Sequence, residues 1–191
     1  MKKILLPTVC VLVLTLILAV FPTEAEGAIY DDTIRLHILA NSDSDEDQAL
    51  KIAVRDAVLL KHGEELGSCR TKCEAAKKVS ELLPKIKKTA EETVRKNGYT
   101  YAVNIRMGEE YYPTRRYEGF TLPAGTYLSL IIELGDADGQ NWWCVMYPPL
   151  CVGASVEDAA VSYSGEELRL IRGEGVRVKF KALELFSRYL G

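Results

Sequence analysis

A chain of 191 residues, 48% hydrophobic and 27% charged with both signs mixed, has enough apolar material for a core and is not a disordered polymer. Its length allows one domain, or at most two. The net charge is −3, and the densest basic runs, Lys77–Lys88 and Arg115–Arg116, are broken by acids or apolar residues, which excludes the concentrated positive face that nucleic-acid binding needs.

The N-terminus carries Lys2 and Lys3, an apolar run from Ile4 to Phe21, and then Pro22, Thr23, Glu24 and Ala25. This is the order of a secretory leader, with small residues at the offsets for cleavage after Ala25. The run is near the ~17 residues at which a segment can span a bilayer, so an uncleaved anchor is the alternative. Residues 1–25 are therefore expected to be a signal peptide or signal anchor, and 29–191 a domain outside the cytoplasm.

A strand is expected over Thr33–Ala40, where Ile34, Leu36 and Ile38 alternate. A helix follows over about 45–61, with Leu50, Val54, Ala57 and Val58 as one stripe and Ile52 and Leu59 on the opposite side. Gly63–Ser68 breaks the pattern. A second helical region covers 70–96; Pro84 should kink or restart it, and Asn97-Gly98 should stop it. Alternation then predicts strands over Tyr99–Met107 and Tyr127–Leu134, and "GDADGQ" is expected to turn the latter into a further strand, Asn141–Tyr147, as a hairpin. "LRLIR" within 165–173 reads as a short alternating stretch, and Val176–Leu190 as a closing amphipathic helix. These elements make one α+β domain, an antiparallel or mixed sheet with helices packed mainly on one face.

Between the first strand and helix lies an acidic knot, "NSDSDED", residues 41–47. Asp43, Asp45 and Asp47 fit the first three ligand positions of a calcium loop, but Gln48 replaces its glycine and Val54 its final glutamate, so the motif fails. Helix capping is the better account: Asn41, Ser42 and Asp43 turn the strand into the helix, early acids complement its dipole, and Asp47 pairs with Lys51. Capping needs one or two such residues and the segment carries seven, which makes its exposed rim a candidate partner contact through Asn41, Ser42, Asp43 and Asp47. Catalytic patterns are poor. His37 and His62 are the only histidines, and there is no nucleophile elbow, zinc-protease helix or phosphate loop. No catalytic residue, metal or cofactor is expected.

The other unusual segment is "NWWCVMYPPLC". Trp142 and Trp143 are adjacent, so on a strand they point to opposite faces, one into the core and one toward solvent, a groove or a partner. Nearby "EEYYPTRRYEGF" adds tyrosines with Arg115 and Arg116, residue types over-represented at interface hot spots. After the leader's Cys10, four cysteines remain, an even number in an oxidising compartment. Cys144–Cys151, flanking two prolines, is the favoured disulfide. Cys69–Cys73 is the weaker one, because the two would sit a helical turn apart unless the helix frays.

On "IRLHILANSDSDEDQALKIAVRDAVL", on "YPTRRYEGFTLPAGTYLSLIIELGDADGQNWWCVMYPPLC", and on the leader before them, the chain resembles the stage II sporulation protein R family of endospore-forming bacteria. The resemblance covers most of the mature chain. It implies a protein made in the forespore and secreted into the space between the forespore and mother-cell membranes. There such proteins activate a membrane-embedded sporulation aspartic protease (SpoIIGA) of the mother cell, which processes the precursor of sigma factor E. It carries no assigned site residues, so the candidate contacts above rest on this chain alone. A competing class is an exported cell-wall hydrolase using Asp43, Asp47 or Asp56 as acid and base. A third is a structural intermembrane protein without a discrete contact site.

Overall fold

Alternating apolar residues and two long helical stripes have to be buried together, and a sheet with two helices on one face does this. The computed structural model describes residues 7–11, 13–14, 24–117, 119–150 and 163–173. The elements are α1 (Glu24–Asp31), β1 (Ile34–Leu39), α2 (Asp45–Gly67), α3 (Lys72–Lys96), β2 (Val103–Tyr112), β3 (Arg115–Tyr117), β4 (Phe120–Leu122), β5 (Gly125–Leu134), β6 (Asn141–Tyr147) and α4 (Gly165–Ile171). The closing helix expected over 176–190 lies outside the described residues, as does Cys151. In the leader, 7–11 and 13–14 are helical, and no helix among the described residues is long and apolar enough to cross a membrane.

The main sheet has the order β2-β5-β1-β6, with β1 parallel to β5 and antiparallel to β6, so β5 and β6 do not form the hairpin expected across "GDADGQ": the buried β1 lies between them. This is a mixed sheet in an α+β domain. The parallel pair needs a crossover. The chain from β1 to β5 supplies it through α2 and α3, which cover one face. Ile34, Leu36, Ile38, Leu130, Ile132 and Leu134 meet Leu50, Val54, Val58, Val79, Leu82 and Ile86 there. At roughly 25 cal/mol per Å², full burial of each such side chain contributes about 1.5–3 kcal/mol. The opposite face carries a second, smaller core, in which Ile29, Tyr112, Leu122, Tyr127, Val145, Tyr163 and Ile171 gather under α1, the β3–β4 hairpin and α4.

Four local expectations need correction. First, α2 does not stop at 61 but runs to Gly67, because His62 and Leu66 are buried on its inner side and the Leu50–Val54–Val58 stripe continues through them. Second, α3 passes through Pro84 unbroken: Pro84 is exposed, so water can satisfy the carbonyl it leaves unbonded, while Leu82 and Ile86 anchor the turns on both sides. Third, the "LRLIR" stretch is helical. Its signal was a capping box: the Ser164 hydroxyl accepts from Glu167 N, and the Glu167 carboxylate accepts from Ser164 N. Fourth, the strand expected at 99–107 runs from 103 to 112, and the short β3–β4 hairpin after it had no clear alternation to announce it.

Candidate functional site

The acidic knot is a joint. Ser44 is the N-cap of α2 and accepts from Asp47 N at 3.2 Å. Asp47, only 3% exposed, accepts in turn from Asn41 Nδ2 at 2.8 Å and Ser42 Oγ at 2.6 Å. Burial alone would raise its pKa, but hydrogen bonds from Ser42, Asn41 and Tyr101 outweigh that and hold the carboxylate below the ordinary value. Asn41 Oδ1 accepts from Asp136 N at 3.0 Å, Asp43 Oδ1 from Gln140 N at 2.7 Å, and Ala40 O from Gly139 N at 3.0 Å. The turn can come this close because Gly139 has no Cβ: one there would stand 2.2 Å from Ser42 O. These bonds weld the β1–α2 junction to the β5–β6 turn. The expected Asp47–Lys51 pair is absent; Lys51 instead donates to Gln48 Oε1 and, at 2.8 Å, to Gln140 O, as a further stitch across the same joint. At this joint Asp43, Asp45 and Glu46 keep exposed side chains, whereas Asn41 and Ser42 are half-buried.

The hydrolase reading needs an acid and a base among Asp43, Asp47 and Asp56. Asp47 is buried within its bonds, Asp43 is tied to a backbone amide, and Asp56 pairs with Arg55 at 2.6 Å. Nothing in this arrangement favours that chemistry.

The two tryptophans diverge as a strand requires. Trp142 stands opposite Ile38 on the helix-covered face, with the Arg55 guanidinium 5.0 Å from its ring. Trp143 stands opposite His37 on the other face, with Arg115 at 3.9 Å. Both are half-buried, so neither is a plain core residue nor a bare surface one. Arg116, next to Arg115 on β3, is exposed.

Sequence reasoning missed the group beneath Trp143 and Arg115. Arg35 alternates away from the apolar side of β1, as a solvent-facing residue would, yet it is 0% exposed. Its guanidinium carbon lies 3.9 Å from the Tyr112 ring centroid and 5.1 Å from that of Tyr127, and Nη2 donates to the Tyr117 hydroxyl. Nε and Nη1 have no hydrogen-bond partner, and Arg35 is in no ion pair among the described residues. Burial pushes the phenols of Tyr112, Tyr117 and Tyr127 above their ordinary value, so none of them ionises near neutral pH to balance the charge. Two residues on, His37 is 3% exposed between the Tyr112 and Trp143 rings, with Nε2 2.7 Å from Asn141 Oδ1 and Nδ1 3.1 Å from Glu110 Oε1. Both imidazole nitrogens thus face protein oxygens. This is a packed polar layer under an arginine–tryptophan surface, suited to recognition. The clue available in the sequence was the density of tyrosines on the strands that face Arg35.

Of the cysteines, Cys69 and Cys73 are free thiols, so the weaker expected disulfide is not formed. The N-cap of α3, Thr71, falls between them and α3 begins at once, so the helix start does not fray to bring the two sulfurs together. The favoured pair involves Cys151, outside the described residues. No group of three or more potential metal-ligating side chains gathers among the described residues.

The family model of stage II sporulation protein R matches residues 30–157. A curated relative, the Stage II sporulation protein R of Bacillus subtilis (strain 168), is 43% identical over 123 residues. That match covers 64% of this chain and 55% of the relative, so the chain spans about half of the relative's length. No solved structure matches it.

Proposed function

The chain belongs to the stage II sporulation protein R family and is a sporulation protein, and from that membership we propose that it is a secreted signal. It is released from the forespore and activates a membrane-embedded aspartic protease, which then processes the precursor of sigma factor E; the chain itself is an activator with no catalytic role. The observation that carries this reading is the family match over 30–157, which contains both the acidic joint and the Arg–Trp face. The leader agrees with secretion. The two family-like segments also form one unit, since the β1–α2 junction is bonded directly to the β5–β6 turn. Contacts with the protease fall on the exposed rim of the joint and on Arg115, Arg116 and Trp143. Co-expression of the chain with the protease and its precursor substrate tests the function: cleavage that requires this chain supports it.

The compartment brings a covalent expectation. Cys144 on β6 and Cys151 form a disulfide that closes the end of the aromatic strand, worth roughly 2–3 kcal/mol for so short a loop if the geometry is unstrained. Non-reducing peptide mapping of the exported protein should find these two linked, and finding both as free thiols would remove the pairing.

A further inference from the structure

We propose that the face built from Arg115, Arg116, Trp143 and Tyr117 over Arg35 docks an acidic, carboxylate-rich segment of a protein partner. This deepens the activator reading, since it takes a protein partner as given and names the chemistry by which that partner is recognised.

Several donors on this face lack an acceptor among the described residues. Two arginines of this acidic chain find carboxylates: Arg55 pairs with Asp56, and Arg106 lies 3.9 Å from Glu110 and 3.7 Å from Glu133, while others, such as Arg70 and Arg95, stand unpaired among the described residues but exposed to water. On this face three find none. Arg35, Arg115 and Arg116 take part in no ion pair among the described residues. Arg35 is fully buried with two N–H groups unbonded, and the buried Trp143 Nε1 lacks an acceptor as well. A buried guanidinium with no counter-ion among the described residues keeps a strong field, because low-dielectric surroundings weaken it far less than water does. The field therefore reaches the exposed Arg115 and Arg116 side of the hairpin, where an anion gains from all three charges. Arginine's planar fork suits carboxylates, and its stacking on Trp143 holds Arg115 in place for one. A peptide fits better than a planar headgroup layer, since Trp143, Tyr117 and Phe120 are half-buried instead of projecting.

The test uses the exported protein with Trp142→Phe, so that Trp143 is the remaining tryptophan of the two. It is titrated with a deca-glutamate peptide and, separately, with phosphatidylglycerol vesicles. The expected result is a saturable change in Trp143 emission with the peptide that weakens with added salt and loses roughly tenfold in affinity in Arg115→Glu/Arg116→Glu. Lys77→Glu/Lys96→Glu, which changes net charge equally at exposed sites on α3, should bind as the parent does. Three results would overturn the proposal: no saturable change, an equal loss in the lysine pair, or binding to vesicles but not to peptide. Protease activation by the two charge-reversed proteins gives the second arm. If the unmodified chain fails to activate, the functional reading falls while the titration still stands on its own. If the unmodified chain activates and Arg115→Glu/Arg116→Glu activates equally well, the docking face is wrong and the function stands.

Discussion

Asp47 shows how much one side chain can carry. It accepts from Asn41, Ser42 and Tyr101 at 3% exposure, so Asp47→Ala leaves these donors without their acceptor and should cost about 2–3 kcal/mol in urea denaturation. Asp45→Ala, at an exposed neighbour outside the network, should stay within about 0.5 kcal/mol. Measuring activation on the same proteins separates scaffold from contact: a loss that only tracks stability makes the joint a helix start, and a folded but inactive variant places a contact there. His62 makes a pH statement. It is 3% exposed in α2, its Nε2 lies 2.9 Å from Thr89 Oγ, and Thr89 Oγ donates to Lys85 O, so the histidine is the donor between them. Burial lowers its pKa below 6.5, with Lys61 and Lys85 adding to the effect and Glu65 opposing it. The unfolded chain therefore binds the proton more readily than the folded one, and the neutral-histidine contribution is complete above about pH 6.5 and is lost as pH falls below it. Thermal melts between pH 7.5 and 5 should show this loss, and His62→Gln should show a shallower slope; equal slopes would contradict it.

At the scale of elements, Pro84 is the informative position. An interior proline removes one helical hydrogen bond and crowds the preceding turn, yet α3 continues because its buried stripe holds both sides. Pro84→Ala should therefore stabilise the protein, by about 1–3 kcal/mol, and raise the melting temperature with no change in fold. A lower melting temperature would mean that the proline shapes a bend the packing needs. The same contrast explains what the sequence disclosed about elements. β1 and β5 were legible because apolar residues alternate onto the helix side, β6 because of the turn before it, and α2 and α3 because their stripes are long. The ends were less legible: α2 outruns Gly63 because tertiary burial of His62 and Leu66 overrides a local breaker. α4 was misread because five residues of alternation spoke louder than the Ser164–Glu167 box before them.

For the molecule as a whole, the sheet separates two kinds of chemistry. One face is aliphatic and locked under α2 and α3. The other is aromatic and cationic under a light cover, and it holds a buried guanidinium that pairs with no carboxylate among the described residues. The family was legible through resemblance, and the acidic knot and paired tryptophans drew attention to a bonded joint and to a strand whose two faces differ. Arg35 was not legible, because alternation placed it on the polar side of β1 and no pattern in a single strand reveals that three tyrosines from β2, β3 and β5 will close over it. The central claim is that this chain activates a protease without doing chemistry of its own. Its most direct measurement is cleavage of the sigma factor E precursor in cells co-producing the membrane protease, with and without this chain exported. The account predicts cleavage only when the exported chain and an active protease are both present, and none when the protease's catalytic aspartate is replaced. Cleavage that is equal without the chain, or that persists with the inactivated protease, would contradict it.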